Sequence, residues 1–163
     1  MNEEREGGFT LIELLIVMSI ILMLSGFATL SLFGYRAAQD FEFDAERIVA
    51  AMRAAQQYSI VQEGGEVWGV CFHNDADPAQ SDYYRITSLG VCPPAPGGEF
   101  PRVDLRGSEF TASVDKDKAV SFKKVSGLPD AQAPYITSVT IRERNGTRER
   151  TVSVDQNGVI IKL

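Results

Sequence analysis

Leu14 to Phe33 reads LLIVMSIILMLSGFATLSLF and carries no charge. At 1.5 Å rise per residue, a run of about 20 residues makes about 30 Å of helix, the thickness of a bilayer core. Before the run stand residues 1–8, MNEEREGG, which are short, charged and end in two glycines. A secretory signal also has an apolar run, but a shorter one, and a small-residue cleavage site follows it. Neither feature fits here. The apolar stretch, taken as residues 9–33, therefore reads as a membrane-spanning helix.

Beyond it the pattern stays helical but turns two-faced. Phe41, Ala45, Ile48, Met52, Ala55 and Ser59 recur at alternating intervals of four and three residues, which makes one narrow stripe on a helix. Asp40, Glu42, Asp44, Glu46, Arg47 and Arg53 fall mostly off that stripe. No proline interrupts residues 9–62, and Gly64-Gly65 supplies a stop. The expectation is a single helix of about fifty residues, its first half apolar all round and its second half, residues 34–62, amphipathic against a globular head. Gly26 and Gly34 each weaken it by about 1 kcal/mol relative to alanine.

From residue 66 to 163 the texture is that of strands. Glu66–His73, Asp82–Leu89, Val120–Val125 and Tyr135–Glu143 are rich in β-branched and aromatic residues. Asn145-Gly146 and Asn157-Gly158 are signals for two-residue type I′ hairpin turns. The first sets a register in which Glu143 faces Arg148, Arg142 faces Glu149 and Ile141 faces Arg150. Val139, Ile141, Val152 and Val154 then share one face, opposite Ser138, Thr140, Thr151 and Ser153. Such alternation predicts an antiparallel sheet with one buried side. Residues 93–99 and 126–134 read as loops. The fold class is α+β: a long N-terminal helix packed on an antiparallel sheet or β-sandwich head.

The whole chain, 163 residues with 44% hydrophobic content and a net charge of −6, suits one ordinary domain plus one extra element. The negative charge argues against a general nucleic-acid binder. Cys71 and Cys92 are the two cysteines and form no CxxC pair, so no zinc site is expected. Outside the cytoplasm they could form one disulfide.

Residues 7–17, Gly-Gly-Phe-Thr-Leu-Ile-Glu-Leu-Leu-Ile-Val, closely resemble the N-terminal signature of type IV pilins and type II secretion pseudopilins. The resemblance implies cleavage between Gly8 and Phe9 by a prepilin peptidase and N-methylation of Phe9. It implies an inner-membrane assembly platform and other pilins or pseudopilins as partners, in a type II secretion pseudopilus or a type IV pilus. It also implies a single-pass protein of the cytoplasmic membrane, head outward, with residues 1–8 left in the cytoplasm. The leader, with Glu3, Glu4 and Glu6 against Arg5, departs from the usual basic pattern. Glu13 becomes the fifth residue of the trimmed chain, where the family places its glutamate. The closing run from Val139 to Leu163 resembles GspH/FimT-type minor pilins at the level of pattern.

Glu13 also has a physical reading of its own. A carboxylate near the start of a bilayer helix is costly unless it meets a positive partner. Cleavage at Gly8 would create such a partner, the amine of Phe9 on a neighbouring chain. Processing would thus gate assembly, and the pair would set the register between helices. The simpler reading is that Glu13 reaches back to the headgroups.

Other candidates are weaker. Arg142, Arg144, Arg148 and Arg150 could contact DNA phosphates, as some minor pilins of this type do during uptake; a solvated hairpin with Glu143–Arg148 and Arg142–Glu149 pairs is the plainer expectation. Nucleic acid is therefore not an expected partner. His73, the single histidine, has no nucleophile or second histidine beside it, so no enzyme and no cofactor is expected. Asp75, Asp77 and Asp82 lack the glycine and closing glutamate of an EF-hand and read as a polar turn. Trp68, Phe72, Tyr83 and Tyr84 read as core.

Overall fold

The structure, a computed structural model, describes the chain apart from residues 1–9, 75–80, 89–90, 93–99, 112–113, 115–116, 131–134 and 145, and apart from the side chains of 27–34. Two compact units divide it, Met1–Ala37 and Ala38–Leu163. Helix α1 runs from Leu11 to Val61 without a break, consistent with the absence of proline. It ends one step earlier than the glycine pair suggests. Gln62 already takes the left-handed conformation (φ 54°), and a single 3-10 turn over Glu63–Gly65 follows, with Gly64 at φ 62°.

In the first unit every large apolar side chain from Leu11 to Leu24 is between 48% and 79% exposed. Two serines of this apolar helix satisfy themselves within it. Ser19 and Ser25 each donate to the carbonyl four residues back, at 2.8 Å. Among the described residues no helix is long and apolar enough to cross a membrane. The described side chains of the apolar stretch stop at Gly26, short of the ~20 residues a bilayer core needs. The span expected over 9–33 thus extends beyond them.

The second unit is an α+β head. Its strands are β1 (Gly69–His73), β2 (Tyr83–Thr87), β3 (Val103–Asp104), β4 (Ser108–Phe110), β5 (Asp117–Ser121), β6 (Ser138–Glu143), β7 (Glu149–Val154) and β8 (Ile160–Lys162). They form two antiparallel four-stranded sheets, ordered β3-β2-β1-β5 and β4-β6-β7-β8. Both sheets share one core with the stripe on α1: Phe41, Ala45, Ile48, Met52, Ala55 and Ser59 are all fully buried. Phe72 of the first sheet meets Phe110 of the second edge to face at 5.5 Å. Val139, Ile141, Val152 and Val154 line the inner face of the second sheet.

Three buried polar groups cross-link these layers. Asp44, expected with the other charges off the stripe, is in fact 1% exposed. Its Oδ2 accepts from the Arg106 and Gly107 amides (3.0 and 2.9 Å) and the Ser108 hydroxyl (2.8 Å). Gly107 is required there because a Cβ would come within 2.7 Å of the Phe41 backbone nitrogen. Ser59 Oγ accepts from the Trp68 amide at 3.0 Å and donates toward the Phe122 carbonyl at 3.1 Å. Asp82 accepts from the Phe110 amide at 2.6 Å, joining the two sheets.

Several local expectations need correction. The first strand begins at Gly69, not Glu66, because Ser59 takes the Trp68 amide before the ladder starts. The strand expected over Val120–Val125 ends at Ser121 and begins at the polar Asp117. Val125 instead sits in a turn with φ 66°. Tyr83 is buried, but away from the core cluster, stacked on His73 at 4.5 Å. Asn157-Gly158 does not form a two-residue I′ turn: positive φ occurs at Gly158 alone (81°). The Asp155 carboxylate accepts from the Asn157 and Val159 amides at 2.9 and 2.8 Å. That asparagine-like turn, closed by the left-handed glycine, gives a three-residue loop. By contrast, β6 and β7 pair in the expected register, with Ile141 opposite Arg150 and Arg142 opposite Glu149.

Candidate functional site

The start of α1 is where the sequence concentrates its chemistry. Gly8 and Phe9 lie outside the described residues. Thr10 is the first described residue and caps the helix. The Glu13 amide donates to Thr10 Oγ1 at 3.3 Å and to the Thr10 carbonyl at 3.1 Å, and the Leu14 amide reaches the same carbonyl at 3.3 Å. The positive end of the helix dipole thus has a threonine oxygen on its free amides and an acid in its first turn. This cap was missed in the sequence, although Thr10 and Glu13 have the Thr-x-x-Glu spacing of a capping box. Glu13 is exposed on a surface otherwise made of Leu11, Ile12, Leu14, Leu15 and Ile16. Such a surface is stable only when lipid or other helices cover it.

The hairpin arginines are largely engaged by acids. Arg142 Nε donates to Glu149 at 2.9 Å, Arg148 Nε to Glu143 at 2.9 Å, and Arg150 to Glu42 of α1 at 3.0 Å. The Arg148 hydrogen bond holds the Glu143 carboxyl below its ordinary range and raises Arg148 in return. Arg144 is exposed, and its backbone amide reaches the Gly107 carbonyl at 3.1 Å. Arg142, Arg148 and Arg150 are thus each held by a different acid, not gathered around one phosphate-sized site. Lys162 likewise bonds Glu46 and lies 3.7 Å from Glu42. That contact lowers the Glu46 pKa and raises that of Lys162.

On the outer face of the first sheet, Cys71 and Cys92 are joined in a disulfide with Cα atoms 5.0 Å apart. It ties β1 to the segment that follows β2. The Asp117 carboxylate lies near both sulfurs and bonds the His73 ring; with the sulfurs spent on each other, the cluster offers no thiolate. Asp75 and Asp77 lie outside the described residues, and Asp82 is engaged with Phe110 as above. An apolar cavity of about 440 Å³ opens between α1 and β2, lined by Arg47, Ala50, Ala54, Tyr84, Phe100 and Val103 among others. Burial pushes the Tyr84 hydroxyl up to about 12, partly opposed by Arg47, so it stays protonated and cannot act as a base near neutrality.

Comparison with known proteins bears on the N-terminal site. Residues 5–29 match the prokaryotic N-terminal methylation motif. The chain is 34% identical over 61 residues to the type II secretion system protein H of Aeromonas hydrophila. That match covers 37% of this chain and 33% of the relative. No solved structure matches. The methylation motif at the start of a capped apolar helix, joined to that likeness, supports assignment of the chain to the pilin and pseudopilin family.

Proposed function

We propose that the chain is a non-enzymatic structural subunit, a pseudopilin or minor pilin. On this reading it waits in the cytoplasmic membrane, is cut between Gly8 and Phe9 by a prepilin peptidase, and is drawn with its siblings into a helical filament that serves protein secretion. The observation that carries the proposal is the exposed apolar surface of Leu11–Leu24, with Glu13 as its one acid. A helix that is apolar all round has to be covered by lipid or by other helices. Its serine hydroxyls are already bonded within the helix, so either covering leaves no polar group stranded. Glu13 is the exception, and a carboxylate near the start of a bilayer helix is costly unless it meets a positive partner, up to the about 2.5–3.5 kcal/mol of a charge at the helix centre. The amine of a trimmed neighbour at Phe9 would offset the cost and select processed chains.

The test is Glu13→Leu, followed by comparison of membrane level, N-terminal trimming and incorporation into filaments. The expected outcome is a protein that inserts and is trimmed but enters filaments at least about tenfold less, a loss of about 1.4 kcal/mol or more. Normal incorporation would reject the assembly role of Glu13. The alternative of a minor type IV pilin that holds DNA for uptake finds no support in the hairpin. Arg142, Arg148 and Arg150 each already face a carboxylate.

A further inference from the structure

Among the described residues the second sheet ends at β8, which pairs with β7 and with no further strand. Val159, at 54% exposure, Ile161, at 38%, and Leu163, at 71%, alternate along it and lie on one outward face. The free edge of the first sheet is treated differently. There Ala119 and Ser121 of β5 accept from the Ile136 and Asp130 amides, both at 2.9 Å. Along β8 the odd-numbered positions face β7: Leu163 exchanges both backbone bonds with Thr151 (2.9 and 3.1 Å), and Val159 accepts from the Asp155 amide at 3.0 Å. By the alternation of an antiparallel ladder, the amides and carbonyls of Ile160 and Lys162 point to the open edge. A lysine commonly guards such an edge. Here the Lys162 amine is turned to Glu46 and Glu42 of α1.

We infer that β8 is an interaction edge whose occupant is β8 of a second copy of this chain, antiparallel and centred on Ile161. The strand is self-complementary in that register and is not when shifted by one residue. Ile161 falls opposite Ile161 of the second copy, and Val159 opposite Leu163, so the outer face pairs apolar with apolar. Ile160 falls opposite Lys162, so no like charges are opposed. The same register places the outward-pointing backbone groups of 160 against those of 162, as a hydrogen-bonded pair requires. A shift by one residue would put Ile160 against Ile161 and send matched side chains to opposite faces. The pairing is isologous. It is also short, well under the ~1,200 Å² of a standard stable interface, so it is weak in dilute solution and gains from tethering at a membrane. The pairing needs only the open edge of the second sheet and stands apart from the filament reading.

Disulfide trapping tests it in the full chain, held in membranes. The two native cysteines are bonded to each other, so Ile161→Cys adds a single thiol. In the proposed register the two 161 Cα atoms are about 4.5 Å apart, within disulfide reach. Lys162 and its counterpart are offset by two residues, about 7 Å along the strand alone, beyond that reach. A mild thiol oxidant should convert Ile161→Cys to a covalent dimer, with Lys162→Cys at least about fivefold less linked, as that geometry requires. Val159→Lys placed in the Ile161→Cys background should suppress the link, because the new charge meets Leu163. Equal linking at 161 and 162, no linking at 161, indifference to Val159→Lys, or linking of 161 to a heavier protein instead of a second copy would each overturn the inference.

Discussion

At the scale of single residues, the first turn of α1 holds a helix cap and, on the proposed reading, an assembly contact within four positions. Thr10 satisfies the Glu13 amide, which steadies the turn that presents the Glu13 carboxylate. The two roles separate by mutation. Thr10→Val keeps size and β-branching but removes the oxygen, and loss of such a cap costs about 1 kcal/mol. Amide exchange at Glu13 and Leu14 should rise about fivefold, as that energy dictates, while the head is unaffected; unchanged exchange at Glu13 would mean that the cap is idle. Asp44 makes the opposite case, a charge that the stripe pattern assigned to solvent. Periodicity reports which face is apolar, and it cannot register that a loop 62 residues later brings two amides and a hydroxyl to meet an acid. Asp44→Ala leaves those three donors unmet in a buried site and should cost about 3 kcal/mol. Asp44→Asn keeps an acceptor and should cost less; both are read from urea unfolding of the head.

At the scale of elements, what was legible followed the strength of the pattern. The buried stripe of α1 was readable because six positions repeat at helical spacing, and all six are fully buried. The β6–β7 register was readable because alternation on both arms agrees with one turn position. β3 and β4, with two and three residues, are too short for alternation to show and exist through pairing alone. The Asn157-Gly158 turn was misread because the Asp155 side chain, two residues upstream, competes for the same amides. The β6–β7 hairpin also gives a pH dependence with a definite sign. Glu143 is held below its ordinary 4.5 chiefly by the Arg148 hydrogen bond. Its contribution is present above about pH 4.5 and is lost as pH falls through the lower folded value. Glu143→Gln should therefore reduce stability at neutral pH and flatten the decline below pH 4.5. A variant that melts in parallel with the parent across that window would show the pair to be without effect.

At the scale of the whole molecule, the sequence contains two different kinds of solution to burying apolar surface. Residues Ala38–Leu163 enclose theirs between α1 and two sheets, whereas the large apolar side chains of Leu11–Leu24 remain exposed in the single chain. The first was legible as an α+β head. The second was legible as a segment that needs a covering the chain itself does not supply. On the proposed reading that covering is lipid first and sibling helices after trimming at Gly8 and Phe9. The most direct measurement is the mass of the protein recovered from membranes of its native host, with the N-terminal peptide sequenced. The account predicts a chain that begins at N-methylated Phe9. A chain that still begins at Met1, recovered from filaments at the ordinary level, would contradict it.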